Sequence, residues 1–380
     1  SACLVGSEMC IRDRDSIYLW DSSANAYVDL EFSASDIPGT ATEIMGQTTD
    51  KIYLGLDRKF PAAFFELDTL GSYNDTPDYE YYNGSAWANL PLLKTYAFDA
   101  DGVVQWRMPS NWSTVLLAGI ENTNTNLKSG STGDTTSGTA RYWIRVSVST
   151  VTTAATLSRS YPFPSYAYTT PTLISQFLQL RTDFSATTSP SKAEVESLIQ
   201  RNESRIDRYS TSSWKPNYRH EELYEFSRYG LVLKRQPVLK FLELAVWDGS
   251  KYNVLTEGRT SDYFVDPQTG IVPLTRLLSI PFTYTRSAIY TWGFGEFKRA
   301  IRCSYIWGTD TDDSMYNVGY GQVEDITTKF VAADIITNYD YTTLIPQGTD
   351  RYSLEQKVSQ WRESSEERLE ELRKVRVWVP

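Results

Sequence analysis

The stretch that decides the fold reads YWIRVSV at 142–148, STVTTAATLSRSYPFPSYAYTT at 149–170 and SKAEVESLIQRNESRIDRYS at 191–210. The first piece alternates. Tyr142, Ile144, Val146 and Val148 fall on one face of a strand, and Trp143, Arg145 and Ser147 on the other. Such alternation predicts one buried face and one wet face. The last piece runs on a helical period. Val195, Leu198, Ile199 and Ile206 make its apolar stripe, with Asn202 as the polar exception. Ser191 and Glu194 have the spacing of a capping box at its start. The middle piece is rich in Ser and Thr and carries prolines, which suits a connection. The chain therefore passes from strands to helices across a linker, and the fold class is α+β and multidomain.

Toward the N-terminus, short aromatic or alternating runs are separated by turn signals: IYLWD (17–21), KIYLGL (51–56), AAFFEL (62–67), DYEYY (78–82) and GVVQWRM (102–108). Asn83-Gly84, before Trp87, is a hairpin signal because Asn and Gly tolerate positive φ. The segment 121–139 has almost no apolar residue and reads as a long surface loop. Residues 15–160 are thus expected to form an antiparallel β-sandwich, followed by a linker at 161–170.

Toward the C-terminus, Thr170 before Pro171 fits an N-cap with Pro at N1. Strands are expected within LVLKRQPVLKFLELAVWDG (231–249), SDYFVD (261–266) and IRCSYIWG (301–308), with Asp248-Gly249 as a second hairpin signal. A helix is expected from Val323, broken at Pro346 and Gly348. Residues 171–350 therefore read as a helical core with a β insertion. A last helix opens at Ser353, which has capping-box spacing to Gln356, and it belongs to a C-terminal docking segment at 351–380. Leu354, Val358, Trp361, Leu372 and Val375 follow a heptad seam that Ser365 and Arg368 interrupt, with Leu369 beside it. A docked amphipathic helix suits that pattern better than a free coiled coil.

Composition narrows the function. At 380 residues the chain has room for two domains. No apolar run reaches the ~18 residues that span a bilayer. The balance of 37 basic against 47 acidic residues speaks against tight binding to nucleic acid, which depends on Lys and Arg. The single histidine, His220, cannot build a site with two or three His ligands. No P-loop, dinucleotide fingerprint, HExxH or G-x-S-x-G elbow is present. Gly293-Phe294-Gly295 reads as a turn, and Asp310, Asp312 and Asp313 as a solvated acidic loop lacking the Gly and closing Glu of a calcium site. Asn83, Asn111 and Asn202 sit in glycosylation-acceptor triplets, a pattern common by chance. The sequence has 26 Tyr and 11 Trp. These could line a sugar-binding surface or pack within a sandwich. No enzyme, cofactor or metal site is expected.

The run LVGSEMCIRD, Leu4 to Asp13, resembles the translation of a sequencing-library transposon adapter. Residues 1–14 are accordingly expected to be an assembly artefact of environmental sequencing and are set aside from fold reasoning. Cys3 and Cys10 fall in or beside this run. Cys303 then remains as an apolar filler in a strand, and no disulfide framework is available.

The order of elements from 171 onward resembles the head–tail connector, or adaptor, family of tailed viruses. The pieces are PTLISQFLQL, SKAEVESLIQRNESRIDRYS leading into TSSW, LVLKRQPVLKFLELAVWDGSKY, SDYFVDPQTGIV, and IRCSYIWG leading into VEDITTKFVAADIITNY. The set YYNGSAWANL, VVQWRMPSNW and YWIRV separately resembles a β-sandwich of virus tail and surface proteins. The connector resemblance implies a homo-oligomeric ring, commonly a dodecamer, at the neck of the virion. Its partners would be the portal protein on one side and a tail or stopper protein on the other, with DNA passing through and no membrane involved. In the family the C-terminal segment reaches toward the portal, which here implies docking by Trp361, Leu369, Leu372, Val375 and Trp378. The other readings are a carbohydrate-binding tail or baseplate protein and, with less in its favour, a cell-wall enzyme.

Overall fold

β-Branched and aromatic side chains favour a pleated, half-buried surface, and the N-terminal half of the chain is rich in them. The computed structural model describes residues 16–24, 26–30, 41–117, 140–225, 230–247, 250–274, 299–309, 317–339 and 351–374. The segments 1–14 and 121–139, the Asp248-Gly249 pair, the Gly293 and Asp310 motifs, Pro346, Gly348, Val375 and Trp378 lie outside the described residues. The chain forms two compact units, Ser1–Ser165 and Tyr166–Pro380.

Two antiparallel sheets build the first unit. One contains β1 (Ser16–Asp21), β2 (Ala26–Asp29), β4 (Lys51–Leu56), β6 (Asp78–Tyr82), β7 (Trp87–Asn89), β10 (Thr114–Val115) and β11 (Arg141–Ser147), in the order β2-β1-β4-β11-β6-β7, with β10 also on β11. The other contains β3 (Thr42–Ile44), β5 (Ala62–Thr69), β8 (Leu92–Lys94), β9 (Gly102–Trp106) and β12 (Ala155–Phe163), in the order β3-β12-β5-β9-β8. Ile52, Leu54, Ile144 and Val146 of the first sheet share one core with Phe65, Leu67, Val104 and Leu157 of the second, which makes the unit a sandwich. The Asn83-Gly84 hairpin forms, but its loop spans the four residues between Tyr82 and Trp87. Only Gly84 takes positive φ, at 99°. Asn83 instead uses its side-chain oxygen to accept the Ser85 and Ala86 N–H groups, at 3.0 and 2.9 Å.

The expected wet face of β11 is not wet. Trp143 is fully buried in a second aromatic cluster with Tyr18, Tyr27 and Tyr53, and its indole N–H donates to Val115 O at 2.9 Å. Arg145 lies 4.6 Å from the Trp87 ring centroid and its Nε donates to Glu80 at 2.6 Å. Alternation shows which residues share a face; it does not show what covers that face. Trp143 fits because its cross-strand partner is Gly55. A Cβ at Gly55 would stand 2.3 Å from the ring.

The second unit contains four helices among its described residues: α1 (Pro171–Phe177), α2 (Lys192–Ser210), α3 (Asn317–Asn338) and α4 (Arg351–Lys374). Its strands are β13 (Asn217–Tyr224), β14 (Leu231–Val232), β15 (Val238–Trp247), β16 (Tyr252–Val254), β17 (Ile271–Val272) and β18 (Ile301–Trp307). They form an antiparallel sheet, β13-β18-β15-β16, and a ribbon, β14-β17. The fold is α+β. Thr170 caps α1 by accepting the Leu173 N–H at 3.2 Å. Ser191 and Glu194 close the capping box of α2, with Glu194 Oε2 accepting the Ser191 N–H at 2.8 Å.

Four expectations need correction. Of the linker 161–170, Tyr161–Phe163 finish β12, while Tyr166–Tyr168 are buried in the helical unit; its aromatics are core material. SDYFVD forms no strand. The buried Tyr263 makes only isolated bridges, and the Asp266 carboxylate accepts the Gln268 N–H at 3.1 Å, turning the chain. The strand β13 is unforeseen, because NYRHEELY is nearly all polar; it is an edge strand, where charge is tolerated. Finally, α4 starts at Arg351, so Ser353 lies inside it; no Gly or Pro at 351–352 stops the helix there.

The Gly55 contact has a measurable consequence. Gly55→Ala is expected to destabilise the sandwich by about 1–3 kcal/mol, as overpacking of a filled core does. Thermal unfolding should show a lower Tm, whereas an unchanged Tm would mean that the Trp143 ring moves aside freely.

Candidate functional site

The residues expected to dock a partner come from α4, and α3 decides where they go. Val323, Ile326, Phe330, Val331, Ala333, Ile335 and Ile336 are buried over most of the circumference of α3, with Gln322, Asp325 and Lys329 on the one side that reaches water, and a helix apolar on several sides must be covered on each of them. Val331 and Ile335 pack with Ile174 of α1 and with Val195, Leu198 and Ile199 of α2. Val323, Ile326 and Phe330 pack with Ala167, Tyr168, Ile206 and Leu369. Ala333 and Ile336 pack with Val358, flanked by Trp361 and Leu178.

Leu369 is thus 3% exposed inside the chain's own core. Leu372 is half-buried against the same cluster. Trp361 is half-buried, with its ring 4.9 Å from that of Phe177. Three of the five expected docking residues are therefore brought together, facing inward on α3. The stripe that signalled docking is the one α4 uses to dock on its own unit. Ser365, which interrupts the heptad, is fully buried and lets the helices approach closely. Polar contacts flank the seam. Arg368 pairs with Asp325, and Arg362 reaches Asp334 at 3.4 Å. Arg205 of α2 meets Glu366 at 3.1 Å with its guanidinium over the Phe330 ring.

Beneath this lies a buried polar network that sequence reasoning missed. Glu203, 1% exposed, accepts the N–H groups of Ala167 and Tyr168 at 2.6 and 2.7 Å and the Lys215 ammonium at 2.5 Å. It joins the start of the unit, the middle of α2 and the segment after α2. Nearby, Asp207 accepts from the Tyr168 hydroxyl, which also lies 2.9 Å from Ser213 Oγ. Burial pushes the Asp207 carboxyl up to about 6, against the pull of Tyr168 and Lys215. The available signal was Glu203 beside the apolar Asn202 stripe position, too weak to read alone. Asn202 itself is buried and donates to Leu198 O and Asp334, each at 3.0 Å, which removes it as a glycan acceptor in the folded chain.

Other candidate groups are held by structural contacts. Glu222 accepts the hydroxyls of Tyr224 and Tyr305, both at 2.6 Å. Burial raises the Glu222 carboxyl, but these bonds and Lys234 outweigh burial and hold it below the usual carboxylate range. Burial and Glu222 push both phenols up. Burial likewise pushes up the Cys303 thiol, which makes it a poor nucleophile. His220 is exposed on the edge strand and stacks on Tyr218. Among the described residues, no cluster of His, Cys, Asp and Glu could hold a metal ion, and no helix is long and apolar enough to cross a membrane.

The buried network is expected to be essential for folding. Glu203→Ala should cost about 3–5 kcal/mol, because Lys215 and two backbone N–H groups lose their acceptor. Lys215→Met should cost less, since Glu203 keeps its two N–H donors; thermal melts in the reverse order would overturn this reading. Asp207 adds a pH dependence. Its carboxyl ordinarily titrates near 3.8 and in the fold near 6, so its favourable contribution is complete below the lower value and lost as pH rises through the higher. Asp207→Asn should therefore gain Tm relative to the parent chain between about pH 4 and pH 7 and level off above. A parallel pair of Tm curves would contradict the assignment.

No family model matches the chain, and no curated protein matches it. Among solved structures, the chain is similar to one from the neck of an empty GTA particle computed with six-fold symmetry, at 12% identity and TM-score 0.28, over 50% of this chain and 87% of that one.

Proposed function

We propose that this chain is a structural subunit of the connector, or adaptor, ring that joins head to tail in a tailed virus particle, and that it does no chemistry. The second unit carries the reading. The pieces that bear the connector resemblance fall on α1, α2, β14 to β18 and α3, in that order, and the helices gather around one central helix. The segment 351–380 is the proposed portal contact, and the opposite side meets a tail or stopper protein. Catalysis is disfavoured because Cys303, Tyr224 and Tyr305 are buried and protonated, and Glu222 is committed to two tyrosines. Adhesion to glycans through the sandwich loses its main support, because Trp106, Trp112, Trp143, Tyr18, Tyr27 and Tyr53 are buried rather than displayed. A net charge of −10 suits a channel that lets DNA slide without gripping it.

Mass photometry and negative-stain microscopy of the purified chain should show closed rings, lost when residues 353–380 are deleted. A monomer that binds glycan arrays through its sandwich would replace this reading with the adhesion one.

A further inference from the structure

A head-to-tail ring needs two different faces on each subunit that fit one another. The helical unit carries two oppositely charged faces whose charges are unspent. On α2, Arg201 and Arg208 are exposed and, with Ser204, Arg205, Tyr209 and Thr211, line an open groove of about 770 Å³. Arg205 is committed to Glu366 within the chain. Arg201 and Arg208 have no acidic partner among the described residues. On α4, Glu363, Glu367 and Glu371 are exposed at i, i+4 and i+8, on the side opposite the buried Val358, Ser365 and Leu369. Ser359 Oγ donates to Glu363 at 3.2 Å, and none of the three carboxylates has a basic partner among the described residues. Like charges at i, i+4 oppose each other along a helix, so the stripe is a cost to the isolated subunit that an opposing cationic surface removes.

We propose that the carboxylate stripe Glu363, Glu367 and Glu371 of one copy docks against the arginine rim Arg201 and Arg208 of a second copy, forming the repeated contact of the ring. The occupant is another copy of this chain rather than nucleic acid. The complementary carboxylates are carried by the chain itself, at one-turn spacing along the exposed side of α4, so a second copy supplies the opposing charge with no other molecule needed. Arg205 bonded to Glu366 ties α2 to α4, and Arg368 bonded to Asp325 ties α4 to α3, so both faces ride on one helical assembly. The inference rests on the ring reading above and assigns its subunit contact.

Charge reversal tests it on the full chain. Glu363→Lys/Glu367→Lys/Glu371→Lys should lose rings in mass photometry, and so should Arg201→Glu/Arg208→Glu. Circular dichroism should show both still folded, because every altered side chain is exposed. Mixing the two variants should restore rings, since each supplies the face the other lacks, and so should all five changes in one chain. Raising salt from about 0.1 to 1 M should dissociate the parent ring, because screening shortens to about 3 Å. Rings formed by either variant alone, or failure of the mixture to assemble while the parent does, would reject the contact and leave the ring intact as a reading. A parent chain that stays monomeric at every concentration would reject both.

Discussion

The helical unit depends on α3 carrying apolar side chains on more sides than one neighbour can cover. Its buried Val, Ile, Phe and Ala side chains take up most of the cylinder and leave one side to Gln322, Asp325 and Lys329, so it cannot exist alone. Each of its three faces takes a different cover: α1 and α2 on one, α2 with the Tyr168 segment and Leu369 on the next, α4 on the third. Hydrophobic burial is non-directional, so it gathers these covers without choosing their angles. The choosing falls to polar groups at the seams. Asn202 and Asp334 tie α2 to α3, Arg362 and Arg368 tie α4 to α3, and Glu203 gathers three separate backbone and side-chain donors from outside α2. A buried carboxylate with three good donors is satisfied; with one missing it becomes a liability.

Much of this was legible in the residues. KIYLGL is β4 to the residue, Thr170-Pro171 starts α1, and Ser191 with Glu194 starts α2, because caps and alternation are local signals. The failures share a cause. The polar run NYRHEELY is a strand only because β18 pairs with it. Trp143 sits on a covered face only because Gly55 lies across from it. Leu369 and Trp361 announce an apolar stripe, and the stripe says nothing of whether its cover is a partner or the chain itself. Each of these is settled by residues distant in sequence. The network around Glu203 was invisible for the same reason, since its donors lie tens of residues away on one side and a dozen on the other.

The aromatic excess also finds its place. In the sandwich, edge-to-face pairs such as Tyr18–Tyr27 and Phe60–Trp106 fill the space on both faces of the seven-stranded sheet. These rings contribute area and fixed geometry together. A sheet covered on both faces buries apolar area twice, and the second cluster around Trp143 adds to the core between the sheets.

The shallow seating of α4 has a dynamic consequence. Of its described side chains, only Val358, Ser365 and Leu369 are buried, against seven in α2. Two apolar anchors are worth roughly 3–6 kcal/mol. Among the long helices, α4 is therefore the one that comes away at least cost, as a unit, while α2 and α3 stay together. Its amides should exchange with solvent well before those of α2. Trp361, Leu369 and Leu372 share that one seam with Val358, so they would lose their cover together rather than one at a time.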